Sequence, residues 1–157
     1  MAGGEGMDEE NTLDYFSEDF ALFVEAGFVA VKQLDEIAAK RLFKAAESLN
    51  PENPAPQLGL GYIALNKLRV KEATAIFEEI LEKDPEHHLA RALLGVAYLL
   101  TPDKKKEGEQ LVVQAKESCD DPTIKNLAEV CLDWQKKDLG SKALPPLKTP
   151  ETGGGKE

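Results

Sequence analysis

Cysteine is nearly absent: Cys119 and Cys131 are the two thiols in 157 residues, too few for a disulfide framework or a four-ligand zinc knot. That scarcity points to a reducing compartment and a cytoplasmic location. Long apolar runs are also missing. The longest, Ala92–Leu100, covers nine residues, against the roughly 20 that cross a bilayer. Met1–Glu10 is acidic, not a basic leader ahead of a hydrophobic stretch, so neither a membrane span nor a secretory signal is expected. Bases are outnumbered, with 19 Lys and Arg against 29 Asp and Glu and a net charge of −10. Phosphate recognition needs clustered cations, which argues against nucleic-acid binding. Aromatics make up 6% of the chain, yet 42% apolar residues suffice for a packed core in a chain of this length.

The acidity is concentrated. Residues 1–19 hold Glu5, Asp8, Glu9, Glu10, Asp14, Glu18 and Asp19 and no base, whereas residues 20–138 carry 16 bases against 20 acids. The first 17 residues read as an acidic, solvated and disordered arm, with partner capture as its alternative role. At the other end, residues 139–157 hold Pro145, Pro146, Pro150 and Gly153–Gly155 and read as a second disordered segment, too poor in apolar residues to offset the entropy of ordering.

Between these ends the chain repeats itself. Gly27, Gly61 and Gly95 are successively 34 apart, and the same interval separates Ala39 from Ala73, Phe43 from Phe77 and Pro51 from Pro85. Each unit reads as two helices. In the first, Phe20–Lys32 is apolar nearly all round, Asp35 is a natural N-cap, and Glu36–Leu49 places Ile37, Leu42, Phe43 and Ala46 at helical spacing before Asn50-Pro51 stops it. In the second, Leu58–Asn66 and Lys71–Lys83 repeat the pattern before Asp84-Pro85. The third unit has Glu107 where a small residue is due, and a one-residue insertion within Thr101–Lys106 restores register with Gly108, Val112 and Ala115. Asp121-Pro122 then opens a capping helix over 122–138, with Ile124, Leu127, Ala128, Cys131 and Leu132 on one side and Trp134 finishing the seam.

These residues resemble the tetratricopeptide repeat, a 34-residue helix–turn–helix unit, over about 20–53, 54–87 and 88–121. Ala26-Gly27, Leu60-Gly61 and Leu94-Gly95 stand at its Leu-Gly pair, Tyr98 at its Tyr, and Phe23 where it usually has Trp. The resemblance implies an all-α fold: three helix–turn–helix repeats plus a capping helix over residues 18–138, wound as a right-handed α-solenoid.

Nothing in the sequence supports catalysis. Gly59-Leu60-Gly61-Tyr62-Ile63-Ala64 fits a dinucleotide-binding pattern, but that signature needs a preceding buried strand, and Asn50–Gln57 contains three prolines. His87 and His88 are adjacent and would point about 100° apart on a helix, so they cannot share a metal. Cys119 and Cys131 fall on different helices and read as small buried hydrophobes. Ser17, Ser48, Ser118 and Ser141 have no nucleophile-elbow context, and Lys104–Lys106 reads as a solvated helix start. No cofactor is expected.

The resemblance further implies a concave face lined by the first helix of each pair. In the repeat phase its positions are Val24, Phe28 and Val31; Leu58, Tyr62 and Leu65; and Ala92, Val96 and Leu99. All nine are apolar or aromatic, without the Lys, Asn and Arg of tetratricopeptide domains that clamp a C-terminal carboxylate. Such a face suits an amphipathic helix laid into a groove. The alternative occupants are the N-terminal segment with Leu13, Tyr15 and Phe16, folded back, or a second copy in an unliganded homodimer.

Three stretches, Phe20–Leu42, Leu58–Tyr62 and Ala90–Gly95, resemble the cytosolic tetratricopeptide chaperones of bacterial type III secretion, and within them the needle-subunit chaperones. That likeness implies a groove that holds the amphipathic C-terminal helix of a small secreted needle subunit and keeps it monomeric, with a second small helical co-chaperone on another surface. Two other readings predict different partners: a translocator chaperone, with an extended peptide in the groove, and a generic interaction adaptor, with a stable folded partner.

Overall fold

The computed structural model describes residues 9–137, with side chains described from Glu18 onward. Among the described residues there are seven α-helices and no strand: α1 Glu9–Lys32, α2 Glu36–Leu49, α3 Ala55–Asn66, α4 Val70–Lys83, α5 His88–Leu99, α6 Lys105–Ser118 and α7 Pro122–Lys137. The fold is all-α and built from helix–turn–helix repeats of the α-solenoid class. The helices divide into two compact units near residue 80.

Helix ends follow local chemistry. Asp35 caps α2, its Oδ1 accepting from the Ala38 N–H at 2.9 Å, and Asp121 Oδ1 accepts from the Thr123 N–H at 2.8 Å at the start of α7. These bonds satisfy donors that a helix N-terminus otherwise leaves open. Helix α3 starts three residues before the expected Leu58, because Asn53 Oδ1 accepts from the Ala55 N–H at 2.9 Å and a proline within the first turn removes no intrahelical bond. A 3-10 turn over Pro102–Lys104 precedes α6. It absorbs the expected extra residue, so Gly108, Val112 and Ala115 are the buried side of α6.

One correction concerns the N-terminal arm. Residues 9–17, expected to be disordered with the rest of 1–17, form the first turns of α1. Helix α1 has no proline and no glycine before Gly27, and acids in a first turn complement the helix dipole. Leu13, Tyr15 and Phe16 thus lie on α1 and not on a separate segment folded back over it. Residues 1–8 of the arm, Asp138 of the capping helix and the segment 139–157 lie outside the described residues.

In the first unit, α1 packs on α2 and both meet α3. The repeat's glycines and phenylalanines explain this. A Cβ built on Gly27 would come within 2.5 Å of the Phe43 ring, and one on Gly61 within 2.5 Å of the Phe77 ring. Phe43 and Phe77 are fully buried, so each ring lies flush on a helix that offers no side chain. Gly59 faces Phe43 from the next repeat. In the second unit, α5 packs against α6 and α7, and α6 against α7. There Val112 replaces the Phe and meets Gly95, while Gly108 backs onto the Gly95 carbonyl. Ile124, Leu127, Ala128 and Cys131 of α7 are buried, whereas Leu132 and Trp134 are half-buried.

The first two hairpins turn in the same way. The N–H groups of Leu34 and Asp35 donate to the Val31 and Ala30 carbonyls at 3.0 and 2.9 Å, and those of Leu68 and Arg69 to the Leu65 and Ala64 carbonyls at 2.9 and 2.8 Å. This is the Schellman pattern, whose C′ residue takes the left-handed conformation. Leu34 and Leu68 hold it, at φ 63° and 57°.

Candidate functional site

The nine sequence-derived groove positions do not share one environment. Val24, Phe28, Val31 and Tyr62 are half-buried. Leu58, Leu65, Ala92, Val96 and Leu99 are buried, with Ala92 at 0% exposure. The last three lie on α5, whose residues from Ala92 to Leu99 are all buried. In this conformation those five side chains belong to the core and line no open groove. Sequence reasoning could not separate the two roles, because α3 is apolar nearly all round and the apolar face of α5 is broad, so that a groove face and a packed face read alike.

Phe28 also departs from expectation. Its ring meets Phe43 edge-on, with centroids 5.0 Å apart and planes at 70°, a favourable aromatic geometry. Phe28 and Val31 border the core cluster of Ala30, Ala39, Phe43 and Ile63. Of the α1 and α3 positions, Val24 and Tyr62 therefore remain the half-buried side chains outside that cluster.

A feature the sequence did not reveal is a small, open cleft with a cavity volume of about 40 Å³ at the turn edge of the first unit, lined by Val31, Leu34, Glu36, Ile63, Asn66 and Lys67. It joins the turn of one repeat to the end of the next repeat's first helix. Glu36 anchors it: Arg69 Nη2 donates to Glu36 Oε1 at 2.6 Å, Lys40 Nζ lies 2.9 Å from the same oxygen, and Lys67 Nζ is 3.7 Å from Oε2. Hydrogen bonds from Lys40 and Arg69 hold the Glu36 carboxyl down at about 2. Arg69 stands at the position that Asp35 occupies one repeat earlier, so α4 has a bridge to the preceding repeat where α2 has a side-chain cap.

His87 and the two thiols have structural roles. His87 caps α5, its Nδ1 accepting from the Ala90 N–H at 3.1 Å. Burial pushes the Cys131 thiol up to about 11, which keeps it protonated and inert, and Cys119 Sγ donates to the Ala115 carbonyl at 3.2 Å. Among the described residues no three His, Cys, Asp or Glu side chains gather as metal ligands. No helix among them is long and apolar enough to cross a membrane.

The 34-residue period, the glycine–phenylalanine contacts and the repeated turns define one kind of hairpin. Residues 35–97 match the tetratricopeptide-repeat family model. The match begins at the Asp35 cap and runs through α2, α3, α4 and most of α5, thus holding both Phe43 and Phe77. Comparison with curated proteins and with solved structures returned no significant match. Tetratricopeptide repeats suggest a protein-interaction role.

Proposed function

We propose that the protein is a non-catalytic, cytoplasmic interaction module whose tetratricopeptide hairpins hold a small helical client, in the manner of the type III secretion needle-subunit chaperones it resembles. The observation that carries the reading is the tetratricopeptide match over 35–97 together with half-buried apolar side chains on the first helices of the first unit. Val24 on α1 and Tyr62 on α3 offer an aliphatic and an aromatic contact, and α1 and α3 are neighbours. An amphipathic client helix would bury its apolar stripe there. Binding only the monomeric client would draw it away from assembly by mass action.

Burial of Leu58, Leu65, Ala92, Val96 and Leu99 favours a second reading, an adaptor that docks a folded partner without taking a helix into its interior. One experiment separates the two. The protein is purified from its native cell extract, and small co-purifying proteins are identified by mass spectrometry, beside a Tyr62→Glu variant. A dedicated chaperone yields one or two small helical proteins in fixed ratio, lost from the variant while its circular dichroism and thermal midpoint hold. Recovery of a large folded partner that ignores Tyr62→Glu supports the adaptor. Phe28→Glu is a poor probe, because it would place a charge against the Phe43 ring.

A further inference from the structure

The outer side of α1 carries one continuous exposed stripe: Glu18, Leu22, Glu25, Val29 and Lys32. At about 100° per residue these five fall within one narrow arc of the helix. Two of them are large apolar side chains left in water, Leu22 at 61% and Val29 at 52% exposure. Val24 and Val31 are turned about 120° and 140° from the middle of this stripe and Phe28 about 80°, so the stripe is centred on a different side of α1 from the Val24 contact proposed above.

Its end charges are of opposite sign and equidistant from Glu25, and its two apolar residues match to within one residue, about 1.5 Å of helix. Glu18 and Lys32 are each seven residues from Glu25, and Leu22 and Val29 are three and four residues from it. A second α1 laid antiparallel across the first, with the two-fold axis at Glu25, therefore sets Glu18 of each copy beside Lys32 of the other. The same register sets Leu22 beside Val29, twice. A two-fold contact must be self-complementary, and this stripe is so at every position but Glu25. Within one chain, Glu18 and Lys32 are separated by about 21 Å of helix, so they cannot neutralise each other. The helical residues before Glu18 would run on past the second copy's Lys32 toward its turn, where Leu34 is 87% exposed.

We propose that the protein self-associates as a two-fold dimer through this stripe, with antiparallel α1 helices. The apolar Leu22–Val29 contacts supply the attraction and the end charges set orientation and register. Glu25 meets its own copy at the axis and opposes the contact.

The test is sedimentation velocity of the full chain over a dilution series. The wild type is expected to dimerise reversibly. Val29→Glu should weaken the dimer by about tenfold or more, since each dimer would bury two added charges, and Glu25→Gln should strengthen it. Lys32→Glu alone should weaken it, and Lys32→Glu combined with Glu18→Lys should restore it, because the exchanged charges again face each other between copies. Circular dichroism of each variant confirms that α1 remains helical. A wild type that stays monomeric at every concentration overturns the proposal. So does a dimer indifferent to Val29→Glu, or a double variant no stronger than Lys32→Glu.

Discussion

Gly59 stands so close to the ring of Phe43 that no Cβ fits between them, with the Cε2 and Cε1 atoms 2.6 and 2.7 Å from where one would be. Gly27 makes the same contact from Phe43's own repeat. One fully buried ring thus lies against two helices, and two side-chain-free positions set how closely those helices approach. Dense interiors respond to added volume at such points by shifting side chains off their preferred rotamers or moving backbone.

Gly59→Ala is accordingly expected to destabilise the fold by about 1–3 kcal/mol, although alanine is the better helix former by about 1 kcal/mol. Urea unfolding measures this. In a Phe43→Leu background the penalty should shrink, because the ring that obstructs the methyl is gone. An equal penalty in both backgrounds would place the strain elsewhere.

The Glu36 bridge sets a pH dependence. Its carboxyl titrates near 2 in the folded chain against an ordinary value of 4.5. The folded state thus favours the ionised form, so the contribution is fully present above pH 4.5 and is lost as pH falls from there toward 2. Solvent screens the site and keeps the effect small. Thermal midpoints of wild type and Glu36→Gln should differ at neutral pH and converge through that window. A gap that stays constant down to pH 2 would rule out the ion bridge as its source.

Leu68 holds φ 57° at a helix C′ position and is 51% exposed. Left-handed backbone costs an L-residue about 1–2 kcal/mol and glycine almost nothing. Leu68→Gly should therefore raise stability, by up to about 1 kcal/mol once glycine's larger unfolded-state entropy is counted. A higher urea midpoint checks it, and a lower one would mean that the Leu68 side chain contributes more packing than its exposure suggests.

His87 Nδ1 accepts the Ala90 N–H only when that nitrogen is unprotonated. His87→Ala should cost about 1 kcal/mol, and His87→Asn, which keeps an acceptor at the cap, should recover most of it. Equilibrium unfolding of the two variants side by side tests the role, and equal losses would exclude it.

Much of the fold was legible in the residues themselves. The 34-residue interval, the Asp35 cap, the proline stops after Leu49 and Lys83, and the extra residue before Gly108 all act within a few positions along the chain. The period of 34 aligned those local signals into hairpins. The start of α1 was misread because acidic residues fit a solvated arm and a helix's first turns equally well. The groove positions were only partly legible: the periodicity marked Leu58, Tyr62 and Leu65 alike as apolar, and only Tyr62 is half-open.

By itself, then, the sequence determined the helices, their pairing into helix–turn–helix repeats and the glycine positions where rings are received, because each depends on short-range spacing and steric fit. Tertiary structure decided the rest. It buried α5 from Ala92 to Leu99, brought Arg69 to Glu36 across 33 residues, put two leucines into left-handed turns, and left Leu22 and Val29 in water. Those outcomes depend on which faces meet, and an apolar side chain carries no local mark of whether a neighbouring helix will cover it.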